Sequence, residues 1–265
     1  MTTIYLQGGL GNQLFQVAAG YAHSRLTNTP MQVHCISAGH GTYWQTYLRW
    51  ATQGVAPGPI WKEPHFHYVP VPSQARQLVG YFQSSRYFCE YAAEIKGLLH
   101  PGPTIDEYVA TKYGHLIGGL YAVLHIRRGD YFKTPKDRAY HGVLTEDYYR
   151  RAVGQMRTFN PDLKFLVFSD DLPWCRALDF LEGATFVEEP DASAALHLMS
   201  QFRYYILSNS SFSWWAAWLG EKAVYVIAPD RWFGPTGPTD YQDIYERTWD
   251  RLTVVSDRLA TEVSP

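Results

Sequence analysis

Two adjacent arginines near the middle of the chain, in the stretch HIRRGDYF at residues 125–132, have side chains suited to chemistry. Guanidinium groups stay charged and bind phosphate oxygens through paired hydrogen bonds, so Arg127 and Arg128 could hold a phosphate. Gly129 would permit a tight backbone turn beside such a ligand. Asp130 could orient an arginine or act as a general base. The alternative for the motif taken alone is a solvated basic turn.

A second polar stretch, NSSFS, lies between a predicted strand and a predicted helix. Serine hydroxyls and free backbone N–H groups at a helix start can bind an anion. A simple helix cap formed by Ser211 or Ser213 is the alternative. Two carboxylates, Asp170 and Asp171, follow another predicted strand.

A glycine-rich turn, GGLGN at residues 8–12, follows a predicted strand and opens a predicted helix. It partly matches the dinucleotide-binding fingerprint, but Leu14 stands at the third glycine position. The first acidic residue of the chain is Glu63, so the carboxylate that binds ribose in NAD enzymes is missing. The turn therefore argues against NAD, and no carboxylate base can come from the residues before Glu63.

The elements that must position these residues are clearest after residue 120, where strands and helices alternate. The predicted strands are YAVLHI, KFLVFS, ATFVE, YYILS and AVYVIA, and the predicted helices cover residues 146–159, 172–181, 192–202 and 212–219. This alternation is typical of a parallel, doubly wound sheet. Because ligands bind beyond the carboxyl ends of parallel strands, RRGDYF, the two aspartates, NSSFSWW and PDRWF should face one edge of the sheet.

The first part of the chain shows the same alternation of strands and helices, with a weaker pattern. Strands are predicted at Ile4–Gln7 and Met31–Ile36, and helices at Gln13–Leu26 and Ser85–Leu99. Residues 37–78 are predicted to form long loops with short regular pieces. The fold class is therefore α/β, with two Rossmann-like domains facing each other across a cleft. We expect residues 1–117 to form the first domain, on the acceptor side, and residues 118–265 the second, which binds the nucleotide sugar.

Composition narrows the classes of function. Hydrophobic residues make up 46% and charged residues 18% of the 265 residues, as in a globular protein with a real core. The net charge of −2 does not favour nucleic acid as a partner. Three dispersed cysteines show neither zinc spacing nor a disulfide framework, and no Asp-x-Asp motif indicates a metal. With no long apolar segment, we expect a cytoplasmic protein without a transmembrane span.

Taken together and in order, GGLGNQLFQVAAGYA, GYFQSSRYF, HIRRGDY, FSDD and LMSQFRYYILSNSSFSWWAAWL resemble the family 11 glycosyltransferases. These are α-1,2-fucosyltransferases that use GDP-L-fucose, and the matches run from residue 6 to about residue 233. The resemblance implies a GT-B fold and a soluble form of the bacterial type. It also implies an inverting transfer without a metal or other cofactor, from GDP-β-L-fucose to the 2-hydroxyl of a galactose in an oligosaccharide.

The resemblance also implies roles for individual residues. Arg127, Arg128 and Asp130 would be catalytic. The donor-binding residues would be His125, Arg127, Arg128, Asp170, Asp171, Asn209, Ser210, Ser211, Phe212 and Ser213, with one of the two aspartates reading the guanine edge. The cleft on the acceptor side would be lined by Gly9, Gly11, Asn12, Gln13 and Tyr81, and Tyr43, Trp44 or Tyr81 would stack on the acceptor.

Several alternatives stay open at the level of sequence. The general base could be Asp130, His125 or Asp137, or a largely dissociative reaction could need none. The donor could be another nucleotide sugar, or the chain could be a carbohydrate-binding protein without turnover. The sequence does not reveal the acceptor glycan or the oligomeric state.

Overall fold

A computed structural model describes residues 1–36, 43–220 and 223–255 of the chain. Its α/β architecture contains two separate sheets, and every strand pair in both is parallel. The first sheet has the order β2-β1-β4-β3. Its strands are β1 (Thr2–Leu6), β2 (Met31–Cys35), β3 (Ile60–Lys62) and β4 (Gln77–Val79).

The second sheet has six strands in the order β10-β9-β8-β5-β6-β7. Its strands are β5 (Tyr121–Ile126), β6 (Lys164–Ser169), β7 (Thr185–Phe186), β8 (Tyr204–Ile206), β9 (Tyr225–Pro229) and β10 (Asp250–Leu252). The predicted alternation and the parallel sheet are confirmed. The four strands whose ends carry the predicted polar residues, β9, β8, β5 and β6, are neighbours in this sheet, so their carboxyl ends do meet at one edge.

Helices α1 to α8 connect and cover the strands. They are α1 (Leu10–Leu26), α2 (Ala92–Leu98), α3 (Pro103–Tyr113), α4 (Pro135–His141), α5 (Glu146–Phe159), α6 (Leu172–Arg176), α7 (Ala192–Met199) and α8 (Ser211–Leu219). Helix α1 is buried on almost all sides, and α7 begins where Asp191 accepts a hydrogen bond from the Ala194 N–H.

Several predicted elements were wrong in detail. The segment predicted as a helix at Ser85–Leu99 begins with two 3₁₀ turns and becomes α-helical only at Ala92. The predicted helix 172–181 ends at Arg176, and a 3₁₀ turn follows. Strand β4 lies inside the first sheet although its three residues were too few for a periodic signal. Helices α3 and α4 were missed, and part of the loop region, residues 37–42, lies outside the described residues.

The two sheets share one hydrophobic core, which contains Ile4 and Leu78 from the first sheet and Val123 from the second. Trp214 and Trp215 of α8 are buried in the same core, and Phe15 of α1 packs against both rings. A domain boundary at residue 117 falls between α3 and β5 and stays a prediction. The shared core holds the carboxyl ends of β1 and β5 on either side of one cavity.

Candidate active site

The cavity between the two sheets has a volume of about 720 Å³, which is in the range of small-molecule sites. Its wall includes Gly8–Asn12 after β1, and Arg127, Asp170 and Ser210 after strands of the second sheet. The site therefore lies beyond the carboxyl ends of parallel strands, as expected for this class of fold.

Helices α1 and α8 both begin at the cavity and approach each other closely there. A methyl group built on Gly11 would lie 2.5 Å from the carbonyl carbon of Ser211, so only glycine fits. Neither helix carries an acidic residue in its first turn. Helix N-termini carry partial positive charge and free N–H groups. Two of them at one cavity form a site suited to an anion.

The Asn12 side chain joins three of the sequence motifs at this point. Its Oδ1 accepts a hydrogen bond from Gln83 Nε2 at 2.8 Å and another from Ser211 Oγ at 2.8 Å. Gln83 belongs to GYFQSSRYF and Ser211 to NSSFS. The three motifs, far apart in sequence, therefore meet at one amide oxygen.

Buried glutamines hold the glycine turn from behind. The Gln16 side chain is fully buried and hydrogen-bonds both the N–H and the carbonyl of Gln7. Gln13 donates from Nε2 to the Gly8 carbonyl at 2.9 Å. Gly8 has φ +76°, a conformation that glycine adopts without strain. The amides fix the turn, so its backbone faces the cavity in one arrangement.

Arg127 is the arginine of the pair that lines the cavity. Its Nη2 lies 2.7 Å from Asp130 Oδ1, and its Nε lies 3.1 Å from Asp170 Oδ2. Asp170 Oδ1 also accepts the backbone N–H of Arg128 at 2.8 Å. The guanidinium has further N–H donors beyond those two contacts. The carboxylates therefore hold Arg127 in place while leaving it able to bind a ligand.

Arg128 points elsewhere. Its guanidinium carbon lies 3.8 Å from the ring centroid of Trp174 and 4.4 Å from that of Phe132, and its Nε contacts Asp171 Oδ2 at 3.0 Å. Asp171 also caps α6 by accepting the Trp174 N–H. Neither Arg128 nor Asp171 lines the cavity. Their contacts secure the turn that carries Arg127.

His125 is buried at the end of β5, and its Nδ1 is 2.7 Å from Ser208 Oγ. Burial, with a smaller contribution from the charge on Arg127, lowers the pKa of His125 to about 3. The imidazole is therefore neutral near neutral pH and is a weak base. It can take part in a hydrogen bond at the cavity wall.

Residues 209–212 of the NSSFS stretch line the cavity, and Ser213 lies behind them. Asn209 donates from Nδ2 to the carbonyls of His141, Gly142 and Trp232, and so ties the β8 end to two neighbouring turns. The Ser210 side chain caps α8. Ser213 is fully buried, and its hydroxyl donates to backbone carbonyls of the same turn.

A buried carboxylate that the sequence analysis missed, Glu189, lies in the cavity wall between α3 and α7. Its Oε2 accepts hydrogen bonds from Tyr108, Lys112 and Tyr113, and its Oε1 from the Asp191 N–H. Burial opposes ionisation, but these donors hold the pKa of Glu189 below its ordinary value. Glu189 therefore anchors α3 to the second sheet as a carboxylate.

Four aromatic rings form another part of the cavity wall, which we call the aromatic wall. Phe66 stacks on Tyr81 at 5.9 Å and meets the edge of Phe233 at 4.9 Å, and Tyr140 lies 6.0 Å from Phe233. The Phe66 N–H donates to Asp240, which ties the wall across the two sheets. Of these four rings, only Tyr81 was predicted, because isolated aromatics in loops give no periodic signal.

Comparison with known proteins identifies the family. The model of the family described as "Glycosyl transferase family 11" matches residues 1–253. This chain belongs to glycosyltransferase family 11. It is 29% identical to the alpha-1,2-colitosyltransferase of Escherichia coli over 86% of this chain and 91% of that protein. It is 26% identical to the galactoside 2-alpha-L-fucosyltransferase SEC1 of Bos taurus over 84% of this chain and 66% of that one.

Solved structures similar to this glycosyltransferase confirm the GT-B-like fold. The NodZ alpha-1,6-fucosyltransferase of Bradyrhizobium, soaked with GDP-fucose, matches with a TM-score of 0.54 and 12% identity, over 86% of this chain and 94% of that one. POFUT1 in complex with GDP matches with a TM-score of 0.55 and 10% identity, over 86% and 97%. At these identities the likeness concerns the fold.

The structure brings most of the predicted site residues of the glycosyltransferase together. Those that line the cavity are Gly9, Gly11, Asn12, Tyr81, His125, Arg127, Asp130, Asp170, Asn209, Ser210, Ser211 and Phe212. Those that lie behind its wall are Gln13, Arg128, Asp171 and Ser213. Of the aromatics considered for the acceptor, Tyr43 and Tyr81 line the cavity and Trp44 does not.

Among the residues that the structure describes, there is neither a metal-binding cluster nor a membrane-spanning helix. In the ranges 1–36, 43–220 and 223–255, no three His, Cys, Asp or Glu side chains are arranged to share a metal ion. No helix in those ranges is both long and apolar enough to cross a bilayer. Independence from metals and a cytoplasmic location stay predictions.

Proposed function

We propose that this glycosyltransferase transfers L-fucose from GDP-β-L-fucose to the 2-hydroxyl of a terminal galactose in an oligosaccharide, with inversion and without a metal. The observation that carries the proposal is the meeting of two helix N-termini with the braced guanidinium of Arg127 at one cavity. A sugar diphosphate needs this kind of anion site. A protein that only binds neutral glycans does not.

The chemistry follows from where charge develops. The acceptor oxygen forms a bond to the anomeric carbon, the bond from that carbon to the β-phosphate oxygen breaks, and its electron pair stays on GDP. The departing diphosphate gains negative charge, which Arg127 and the N–H groups at the starts of α1 and α8 stabilise without reorganising. Asp130 and Asp170 act by fixing Arg127.

The nucleoside end of the donor fits the part of the cavity beside β6 and α7. Phe168, Val187 and Pro190 make that region largely apolar, which suits a purine ring. Both oxygens of Asp170 are already engaged by Arg127 and the Arg128 N–H. We therefore propose that Asp170 holds Arg127 in position. The guanine ring of the donor would then lie against the apolar surface near His125.

The acceptor fits the aromatic wall of Phe66, Tyr81, Tyr140 and Phe233. Ring faces pack against the C–H faces of sugars, and the two phenol groups offer hydrogen bonds. A galactose has one face rich in C–H groups, so it is a suitable acceptor. This assignment agrees with the galactoside specificity in the name of the bovine relative.

Colitose is the second candidate for the transferred sugar. The Escherichia coli relative that matches most of this chain is named an alpha-1,2-colitosyltransferase. Colitose is the 3-deoxy counterpart of L-fucose, so both sugars would present the same anomeric centre to the site. The two candidates share the nucleotide, the acceptor hydroxyl and the residues proposed above.

The test is a matched pair of binding and transfer experiments. GDP and UDP are titrated into the protein by calorimetry, and then GDP-fucose and GDP-colitose are offered with lactose, N-acetyllactosamine or galactosyl-β-1,3-hexosamines. We expect GDP to bind, UDP not to compete, and an α-1,2 linkage to galactose in the NMR spectrum of the product, with or without EDTA. Absence of heat on GDP titration would overturn the proposal, and glycan binding without turnover would favour a lectin.

A further inference from the structure

One titratable side chain of the cavity wall, His141, has no part in the function proposed so far. It is the last residue of α4, and its ring lies flat on Tyr131, with 4.3 Å between centroids and 5° between planes. The Arg127 guanidinium carbon is 5.7 Å from the same Tyr131 ring. Tyr140, from the aromatic wall, meets the His141 ring edge-on at 5.1 Å. The imidazole thus lies between the diphosphate and acceptor regions.

The backbone that carries His141 is fixed from two sides. Asn209 Nδ2 donates to the His141 carbonyl at 2.8 Å and to the Gly142 carbonyl at 2.7 Å. The Gly234 N–H donates to the Tyr140 carbonyl at 2.9 Å. Gly142 has φ +70°, and a side chain there would meet the backbone of Gly234 at 2.8 Å. Such anchoring fixes the position of the imidazole relative to a bound substrate, as a group that takes part in a reaction requires.

The other acids and bases of the cavity wall are already committed. Asp130 and Asp170 pair with Arg127, and Glu189 accepts four hydrogen bonds. His125 has a pKa of about 3 because it is buried, so it is a weak base. No hydrogen bond or ion pair with a described residue uses the ring nitrogens of His141, so they stay available to a ligand.

The surroundings of His141 set its protonation. Burial lowers the pKa of the imidazole below its ordinary value, so the ring is neutral near neutral pH. Asp130 and Asp137 act in the opposite sense and favour the imidazolium, while Arg127 disfavours it. The remaining titratable neighbours are the phenols of Tyr131 and Tyr140. The elements on the other side, Asn209 and the Trp232–Gly234 turn, bring no ionisable group.

We propose that His141 is the general base of the transfer. As the acceptor oxygen bonds to the anomeric carbon and GDP departs with the bonding electron pair, a ring nitrogen of His141 takes the proton from the acceptor hydroxyl. The imidazolium is stabilised by the carboxylate of Asp130, and it returns the proton to water after the products leave. The proposal rests on the proposed function and adds to it the residue that receives the proton.

The test uses two substitutions and a control. His141→Gln removes the basic nitrogen, His141→Phe keeps the ring stacked on Tyr131, and His115→Gln changes an exposed histidine outside the cavity. We expect both His141 variants to lose about 10²- to 10⁴-fold in kcat, the usual contribution of a general base, while GDP affinity changes less than about threefold. His115→Gln should match the wild type.

The pH profile separates a base from a packing residue. A neutral imidazole is the active form, so kcat/KM of the wild type should fall as pH drops through a pKa below the ordinary histidine value. In His141→Gln that acidic limb should disappear. Near-wild-type kcat in His141→Phe, or an unchanged acidic limb in His141→Gln, would overturn the inference.

The two proposals fail in different ways. Fucose transfer that does not depend on His141 overturns only the inference. Transfer of a different sugar that still depends on His141 overturns only the donor assignment. A wild-type protein inert with every nucleotide sugar overturns both. Circular dichroism and GDP titration of each variant show that a lost rate is not a lost fold.

Discussion

Two turns at the cavity have the same place in the fold but different chemistry. Residues 8–12 follow β1, one of the two middle strands of the first sheet, and residues 127–130 follow β5, one of the two middle strands of the second. The first turn carries no charged side chain and presents backbone and an amide. The second presents a guanidinium held by carboxylates.

The difference shows that the anion site has two independent requirements. The glycine turn depends on close approach, because Gly11 leaves no room for a side chain beside Ser211. The arginine turn depends on charge, because Arg127 must stay ionised and aimed at the ligand. Substitutions that add bulk should therefore impair the glycine turn, and substitutions that alter charge should impair the arginine turn. Variants of each kind can separate the two requirements.

The largest effect is expected at the arginine turn. Arg127→Ala should lower kcat/KM for transfer by about 10³-fold, because it removes a preorganised donor to the departing diphosphate. Arg128→Ala should lower kcat/KM by no more than about tenfold, but it should reduce the free energy of unfolding by about 1–2 kcal/mol, because the contacts with Trp174 and Asp171 are lost. Steady-state kinetics and urea denaturation of both variants measure the contrast. Equal kinetic losses in the two variants would mean that both arginines bind the diphosphate.

The next effect concerns close approach at the glycine turn. Gly11→Ala should destabilise the protein by about 1–3 kcal/mol and lower transfer at least tenfold, because the methyl group must push α8 away. Gly9→Ala is the matched control for folding, since its methyl group meets no atom within 4 Å. It should cost no more than about 1 kcal/mol, because alanine caps a helix less well than glycine. Urea denaturation of the two variants tests this, and equal stabilities would show that the helices are not in tight contact.

A negative charge placed in the glycine turn should weaken GDP binding without lowering the stability of the fold. Asn12→Asp keeps an oxygen that can accept from Gln83 and Ser211, and a carboxylate at the start of α1 favours the helix. Stability should therefore be retained, while the Kd for GDP rises about tenfold through repulsion of the diphosphate. Calorimetric titration at low salt measures the change. An unchanged Kd would place the diphosphate away from α1.

The parts of this design that sequence could predict are those with local signals. Strands such as β5 and β6 and the helix at Glu146–Phe159 have clear apolar patterns, and Arg127 is recognisable from its motif and its place after a strand. Because the carboxyl ends of parallel strands meet at one edge of a sheet, these signals were enough to predict that four polar strand ends converge. The observed strand order confirms this. The family motifs then gave the class of reaction.

The parts that sequence could not predict depend on contacts between distant residues. Nothing local distinguishes Arg127 from Arg128, and contacts with Trp174 and Asp171 turn the second arginine away from the cavity. His141 and Phe66 lie in segments without periodicity, so their place in the cavity follows from tertiary hydrogen bonds to Asn209 and Asp240. The sequence shows which groups are available, and the packing selects those that face the ligand.

The smallest effect is expected just outside the arginine turn, at Asp137. Thr134 Oγ1 accepts the Asp137 N–H at 3.1 Å and lies 2.8 Å from Asp137 Oδ2, so this carboxylate helps to cap α4 and does not line the cavity. Asp137→Asn should cost at most about 1 kcal/mol of stability, and transfer should stay within about twofold of the wild type. Kinetics across pH measure this. A large loss of kcat with GDP affinity intact would make Asp137 the base in place of His141.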